Sequence, residues 1–211
     1  MIVLLTIFTS SFVVALSGAM MPGTLLTVTI SESSRRGASA GPLLILGHAI
    51  LEIALIAALL LGLAPLFTQE WFFLFISLAG GVILLWMGIG MFRALPSLSL
   101  SLEGQQSQGR NIVLTGILMS AANPYWIIWW ATIGLGYIYH SIQYGMWGLL
   151  FFFSGHILAD LAWYAMISTA VGKGRKFFTD RMYRGLLGTC AAFLLCFACY
   201  LLYKAVQTLI A

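Results

Sequence analysis

The sequence predicts an all-α integral membrane protein, with six transmembrane helices arranged as two inverted three-helix repeats. Three observations lead to this fold class: six long apolar stretches, the distribution of basic residues between them, and a short polar motif that occurs twice. The chain has 211 residues, of which 61% are hydrophobic and 8% are charged. Soluble domains average roughly 25% charged and 45–50% apolar residues, so this composition cannot cover a water-facing surface.

Six apolar stretches exceed the roughly 18 residues that indicate a membrane-spanning helix. They lie at about 3–30, 41–67, 70–92, 112–136, 144–171 and 185–209. The first contains no charged residue and is followed by Arg35 and Arg36, so we expect a retained first helix instead of a signal peptide. A polar stretch divides the chain, which predicts a single membrane domain at 1–211 with repeat one at 1–95, a cytoplasmic loop at 96–110 and repeat two at 111–211.

Nine of the ten basic residues follow the first, third and fifth predicted helices. They are Arg35, Arg36, Arg93, Arg110, Lys173, Arg175, Lys176, Arg181 and Arg184. Because basic loops stay in the cytoplasm, this alternation predicts a multi-pass protein of the cytoplasmic (inner) membrane with both termini outside the cytoplasm. The net charge of +4 therefore concerns topology and the lipid bilayer, and we expect no nucleic-acid partner.

A motif of glycine, histidine and, four residues after the histidine, an acid occurs in the second and fifth predicted helices. The first copy contains His48 and Glu52, and the second contains His156 and Asp160. Such a repeat indicates two related units. Because each unit has three helices, the second enters the membrane inverted, as in many secondary transporters.

Both acids of the motif lie 13 to 18 residues from the flanking charged or interfacial positions, which places them near the middle of the bilayer. A charged side chain there costs about 2.5–3.5 kcal/mol on the mildest insertion scale, so the acids must be paired, neutral or facing water. His48, Glu52, His156 and Asp160 are therefore candidates for substrate binding or proton coupling. Two alternatives remain open: two structural hydrogen-bonded pairs, or four ligands for a divalent metal ion.

The first and fourth predicted helices each contain a proline that removes a helical hydrogen bond. Pro22 with Gly23, and Asn123 with Pro124, are predicted hinges whose backbone groups contact substrate. Trp126 lies close enough to line the same cavity. Its neighbours Trp129 and Trp130 are interpreted as packing or interfacial aromatics.

The whole chain resembles the LysE/RhtB family of amino-acid exporters. The residues that carry the resemblance are Pro22-Gly23, Arg36-Gly37, Gly41, Gly47, Glu52, Thr115-Gly116, Asn123-Pro124, Gly155 and Asp160. Where such exporters often have Pro-Gly-Pro in the first helix, this chain has Thr24 in the third position. The resemblance implies efflux of an amino acid or a similar small solute, driven by the proton gradient.

The predicted function is thus a secondary transporter that exports an amino acid or related solute, with a midplane site between the repeats. A divalent metal-ion transporter is the alternative, with His48, Glu52, His156 and Asp160 as its ligands. We predict no enzymatic activity and no cofactor, and a homo-oligomer is left open. The cysteines Cys190, Cys196 and Cys199 lie on one apolar segment, which makes a disulfide framework an unfavoured interpretation.

Overall fold

In the computed structural model, which describes residues 1–67, 69–97, 111–174 and 179–210, the regular elements of those ranges are all helical. The helices are α1 (Ile2–Ala19), α2 (Thr24–Arg36), α3 (Ala40–Ala58), α4 (Ala64–Phe67), α5 (Glu70–Ala94), α6 (Ile112–Ala121), α7 (Pro124–Trp129), α8 (Leu135–Ile142), α9 (Gly145–Gly174) and α10 (Asp180–Ile210). Short π-helical segments join α3 to α4 and α7 to α8, and a 3-10 turn joins α2 to α3. The all-α prediction is confirmed. The predicted loop lies mostly outside the described residues.

The described helices are long and apolar enough to cross a membrane several times. Four continuous runs qualify: Thr24–Leu66, Glu70–Ser97, Gly145–Lys173 and Asp180–Ile210. Helices α6 and α7–α8 together form a fifth, bent by 64° at its break, and Ile2–Leu16 is a shorter apolar helix. Length and composition thus support a multi-pass protein with four or five spans, and the count of six stays a prediction.

The first and fourth predicted spans are both interrupted, close to the prolines on which the predicted hinges are based. Helix α1 ends at Ala19 and α2 begins at Thr24, with Gly23 as its N-cap. Helix α6 ends at Ala121 and α7 begins at Pro124, with Asn123 as its N-cap. Proline is tolerated in the first turn of a helix but not in its interior, so each break follows from the local sequence.

Small residues let the helices of the two predicted repeats approach each other closely. A Cβ atom at Gly47 on α3 would collide with the backbone oxygen of Val113 on α6. One at Gly155 on α9 would collide with the backbone oxygen of Phe8 on α1. Thus the second predicted helix packs on the fourth, and the fifth packs on the first.

Helices α5 and α10 pack against each other in antiparallel orientation. Gly81 on α5 faces Leu202 on α10, whereas Gly88, seven residues later, faces Leu195, seven residues earlier. Residue numbers at these contacts increase along α5 while they decrease along α10, so the two helices run in opposite directions. The third and sixth predicted helices therefore pair antiparallel.

Two apolar clusters bury opposite halves of α3 and α9. One contains Leu44 near the start of α3 together with Tyr164 on α9. The other contains Ile56 near the end of α3 together with Phe152 on α9. The polar residues of the repeated motif lie between these clusters, at the middle of both helices.

Candidate functional site

The two copies of the repeated motif meet in the interior of the helix bundle. His48 and Glu52 lie on α3, and His156 and Asp160 lie on α9. Their residues are 7%, 0%, 5% and 5% exposed, respectively. Buried ionisable side chains in a membrane protein must be paired with one another or serve a ligand pathway.

The four side chains contact one another both within and between the helices. The Nε2 atom of His48 lies 3.1 Å from Glu52 Oε1 and 3.7 Å from Asp160 Oδ2. The Nε2 atom of His156 lies 3.0 Å from Glu52 Oε1 and 3.4 Å from Asp160 Oδ2. The His–acid pairs within a helix follow from i, i+4 spacing, whereas the pairs between helices depend on how α3 and α9 pack.

The interhelical contacts are reciprocal. Glu52 of the first motif contacts His156 of the second, and His48 of the first contacts Asp160 of the second. Each histidine is 108 positions from its counterpart, and so is each acid. Exchanging the two motifs therefore exchanges one interhelical contact for the other, as a two-fold relation requires.

Two tryptophans of the fourth predicted helix donate hydrogen bonds to Glu52. The indole Nε1 of Trp126 lies 3.1 Å from Glu52 Oε1, and that of Trp130 lies 2.9 Å from the same oxygen. The interpretation of Trp130 as a packing or interfacial aromatic is therefore incomplete. Its spacing of four residues from Trp126 puts both on one helix face, which is the signal that sequence reasoning missed.

Ser120 and Trp129 complete the surroundings of the two histidines. His48 Nδ1 lies 2.7 Å from the Ser120 hydroxyl oxygen. The Trp129 ring lies against His156, with 4.7 Å between ring centroids. Neither residue was singled out as a site residue, because neither belongs to the repeated motif.

A cavity of about 720 Å³, including its open part, adjoins the four-residue cluster. Both helix breaks contribute to its lining. From the first break come Met21, Pro22 and Gly23, and from the second come Asn123, Tyr125 and Trp126. Ligand sites are typically concave and mostly apolar with a few convergent polar groups, and this cavity, with the four-residue cluster in its lining, has that character.

Of the residues predicted to contact substrate, Pro124 does not line the cavity. Its ring packs where a Cβ atom at Gly80 on α5 would lie, because the first turn of α7 faces α5. The two prolines also differ in register: Pro22 precedes the N-cap of its helix, whereas Pro124 follows the N-cap of its own. The two helix breaks therefore hold similar positions in the two halves of the chain, whereas the two prolines do not.

The two breaks lie beside each other and differ in capping. A Cβ atom at Gly23 would lie 3.3 Å from the side-chain nitrogen of Asn123. The Asn123 side chain accepts a hydrogen bond from the backbone N–H of Tyr125 and so caps α7. Helix α2 begins without a side-chain cap, and the first N–H groups of a helix have no intrahelical partner.

Several buried polar atoms of the cluster lack a hydrogen-bond partner among the described residues. They are Glu52 Oε2, Asp160 Oδ2 and His156 Nδ1. One ligand atom from each of the four residues lies within 4.8 Å of the others. The cluster can thus hold a proton or a cationic group between the two halves of the protein.

Comparison with known proteins identifies the family. The profile of the family described as LysE type translocator matches residues 16–205. The chain is 30% identical over 166 residues to a protein named Chemotactic transduction protein ChpE, from Pseudomonas aeruginosa, which covers 76% of this chain and 79% of the relative. No solved structure matches the chain. The chain belongs to the LysE type translocator family and is a multi-pass membrane transporter of a small solute.

Proposed function

We propose that this transporter exports an amino acid or a related small solute, coupled to protons, through a midplane site between two inverted repeats. The observation that carries the proposal is the buried cluster of two histidines and two acids beside a cavity between two broken helices. Secondary transporters place substrate and coupling-ion sites at such breaks, near the middle of the bilayer.

The packing of the helices supports the inverted repeat. In this arrangement the six spans are α1–α2, α3–α4 and α5 in repeat one, and α6–α8, α9 and α10 in repeat two. Exchanging the repeats maps the Gly47–Val113 approach onto the approach of Gly155 to α1. The same exchange replaces α5 by α10 and α10 by α5, so their antiparallel pairing is unchanged.

The cavity offers partners for both charged ends of an amino acid. The N-terminus of α2, capped only by Gly23, presents backbone N–H groups suited to a carboxylate. The unpaired oxygens of Glu52 and Asp160 suit an ammonium group. Amino acids carry both charges, so this pairing supports an amino-acid substrate.

Proton coupling is supported by the hydrogen-bond network of the cluster. Glu52 Oε1 lies within 3.1 Å of Nε2 atoms from both His48 and His156. A proton can therefore be shared within the cluster, where the carboxylate compensates the charge of an imidazolium. Histidine is the side chain whose protonation most readily changes at physiological pH.

A divalent metal ion is the second candidate substrate, because four ligand atoms of suitable type converge. Both Nε2 atoms lie within hydrogen-bond distance of Glu52 Oε1, so a bound metal ion would replace the proton shared between each imidazole and this carboxylate.

A ligand screen of the purified full-length protein tests the proposal. We expect at least one L-amino acid to raise the thermal unfolding temperature, because a ligand at a hundred times its Kd contributes about 2.7 kcal/mol of stability. The doubly substituted variant Glu52→Gln/Asp160→Asn should lose this effect. Stabilisation by Zn²⁺ or Mn²⁺ with none by any amino acid would favour the metal alternative.

A further inference from the structure

The two acids of the cluster hold equivalent places in the repeats but have unequal surroundings. Glu52 Oε1 lies 2.9–3.1 Å from four ring nitrogens: the indoles of Trp126 and Trp130 and the imidazoles of both histidines. Asp160 Oδ2 has no hydrogen-bond partner among the described residues. Glu52 Oε1 is thus surrounded by donors, whereas Asp160 Oδ2 has only the two imidazoles nearby, at 3.4 and 3.7 Å.

The histidines cannot serve both acids at once. Each Nε2 atom carries one hydrogen and lies closer to Glu52, at 3.0 and 3.1 Å, than to Asp160, at 3.4 and 3.7 Å. Glu52 Oε2 is also unpartnered, but its carboxylate already receives N–H donors through Oε1. Asp160 Oδ2 therefore keeps an open acceptor position, and a cationic donor placed there would stabilise the buried carboxylate.

The sequence of the other half explains why Asp160 lacks indole donors. The N-caps of α2 and α7, Gly23 and Asn123, are 100 positions apart, and by that offset Leu26 and Ile30 correspond to Trp126 and Trp130. Both counterparts are buried aliphatic side chains without a polar group. The first repeat therefore supplies Asp160 with no counterpart of the two indoles.

Asp160 lies where a solute can reach it. It lines the same cavity as the two helix breaks, and the side chain is almost completely buried among protein atoms. An ammonium group is a compact donor of three hydrogen bonds, and a carboxylate accepts them without a rearrangement of the histidines. A metal ion would instead have to displace the proton from both Nε2 atoms.

We propose that Asp160 binds the ammonium group of the transported solute, whereas Glu52 is a positioning carboxylate that holds the two histidines and is itself held by Trp126 and Trp130. This inference rests on the proposed amino-acid substrate and assigns different tasks to the two acids. Trp130 is completely buried and packs against Phe152 and His156, so its indole is a rigid donor.

Pairs of amino acids and their 2-hydroxy acids test the assignment, because each pair differs only in the ammonium group. The probe is the L-amino acid that most stabilises the purified full-length protein, together with its 2-hydroxy acid, and calorimetry gives both Kd values. Asp160→Asn should weaken amino-acid binding at least about 30-fold, as expected for loss of a buried charge partner. It should also make the two ligands bind within about threefold of each other.

Glu52→Gln should leave the preference for the amino acid intact, even if both ligands bind more weakly. Asp180→Asn, at the start of α10 and outside the cavity lining, is the matched control and should change neither Kd. If Asp160→Asn retains the preference, or if Glu52→Gln alone removes it, the assignment is wrong. Absence of any amino-acid binding by the wild-type protein would instead refute the proposed function.

Replacing the indole donors tests the positioning role separately. In Trp126→Phe/Trp130→Phe, Glu52 Oε1 loses two donors and becomes a second acceptor for the ammonium group. Asp160→Asn should then cost less than about tenfold in affinity, compared with 30-fold or more in the wild-type background. An unchanged cost would show that the indoles do not distinguish the two acids. If the double variant does not fold, Trp126→Phe alone applies the same test, because Trp126 is only half-buried.

Discussion

At the residue scale, Glu52 is the centre of the buried hydrogen-bond network. Both imidazoles donate towards its Oε1 atom, and two indoles donate to the same oxygen. Ser120 holds the other nitrogen of His48, whereas the corresponding nitrogen of His156 has no partner among the described residues. The two histidines are therefore not equivalent, although their motifs are.

Glu52→Gln should separate proton coupling from substrate movement. The amide keeps the shape and an acceptor oxygen but cannot compensate an imidazolium, so the cluster should no longer hold the coupling proton. In proteoliposomes we expect amino-acid transport driven by a pH gradient to fall at least about tenfold, while exchange without a gradient persists.

Glu70→Gln is the matched control, because Glu70 is exposed at the start of α5 and should leave both activities unchanged. Gradient-driven transport by Glu52→Gln at the wild-type rate would contradict the proposed coupling role.

At the element scale, glycines set the distances between the helices that bear the cluster. The close approach of Gly47 to α6 aligns α3 with Ser120, and the close approach of Gly155 to α1 aligns α9 with the first helix break. These approaches bring residues more than a hundred positions apart into contact. Interhelical packing of small residues is a main source of association energy within a membrane.

Gly47→Ala should destabilise the protein by about 1–3 kcal/mol, because the added methyl group collides with the backbone of Val113. The thermal unfolding temperature in detergent measures this change. Gly90→Ala on α5 is the matched control, since no atom lies within 4 Å of its added Cβ, and it should shift stability by less than about 0.5 kcal/mol. Equal effects of the two substitutions would contradict the close packing of α3 on α6.

At the scale of the whole molecule, the proposed inverted repeat and the distribution of basic residues together predict the orientation in the membrane. Arg35, Arg36 and Arg93 fall at the ends of α2 and α5 that the positive-inside rule places in the cytoplasm. The junction before α5 and the end of α8 then face outward. The predicted cytoplasmic stretch from 99 to 109 lies outside the described residues.

Cysteine labelling tests this orientation in a variant from which the three native cysteines have been removed. Gln69→Cys and His140→Cys, both at exposed positions, should react with an impermeant reagent added from outside the cell. Lys173→Cys, exposed at the end of α9, should react only after the membrane is opened. Labelling of positions 69 and 140 from the cytoplasmic side alone would refute the topology.

An all-α membrane protein of this family, with the four polar residues of the repeated motif near mid-helix, could be predicted from the sequence alone. The length of an apolar stretch directly indicates a membrane helix, because the bilayer thickness sets the number of residues needed to cross it. The contacts within the pairs His48–Glu52 and His156–Asp160 could also be predicted, because residues four positions apart are neighbours on any helix. Pro22 and Asn123 indicate which two helices are broken, but not the residues at which each helical segment begins and ends.

Which groups meet between helices follows from the packing of the helices and not from the local sequence. The contact of Glu52 with His156, the hydrogen bond of Ser120 to His48 and the indole donor Trp130 all depend on the register of α3, α6, α7 and α9. That register depends on the close approach of the helix backbones at Gly47 and Gly155. The periodicity of the local sequence does not indicate such an approach. The unequal surroundings of the two acids cannot be predicted from the motif, because its two copies share the acids and not the side chains packed around them.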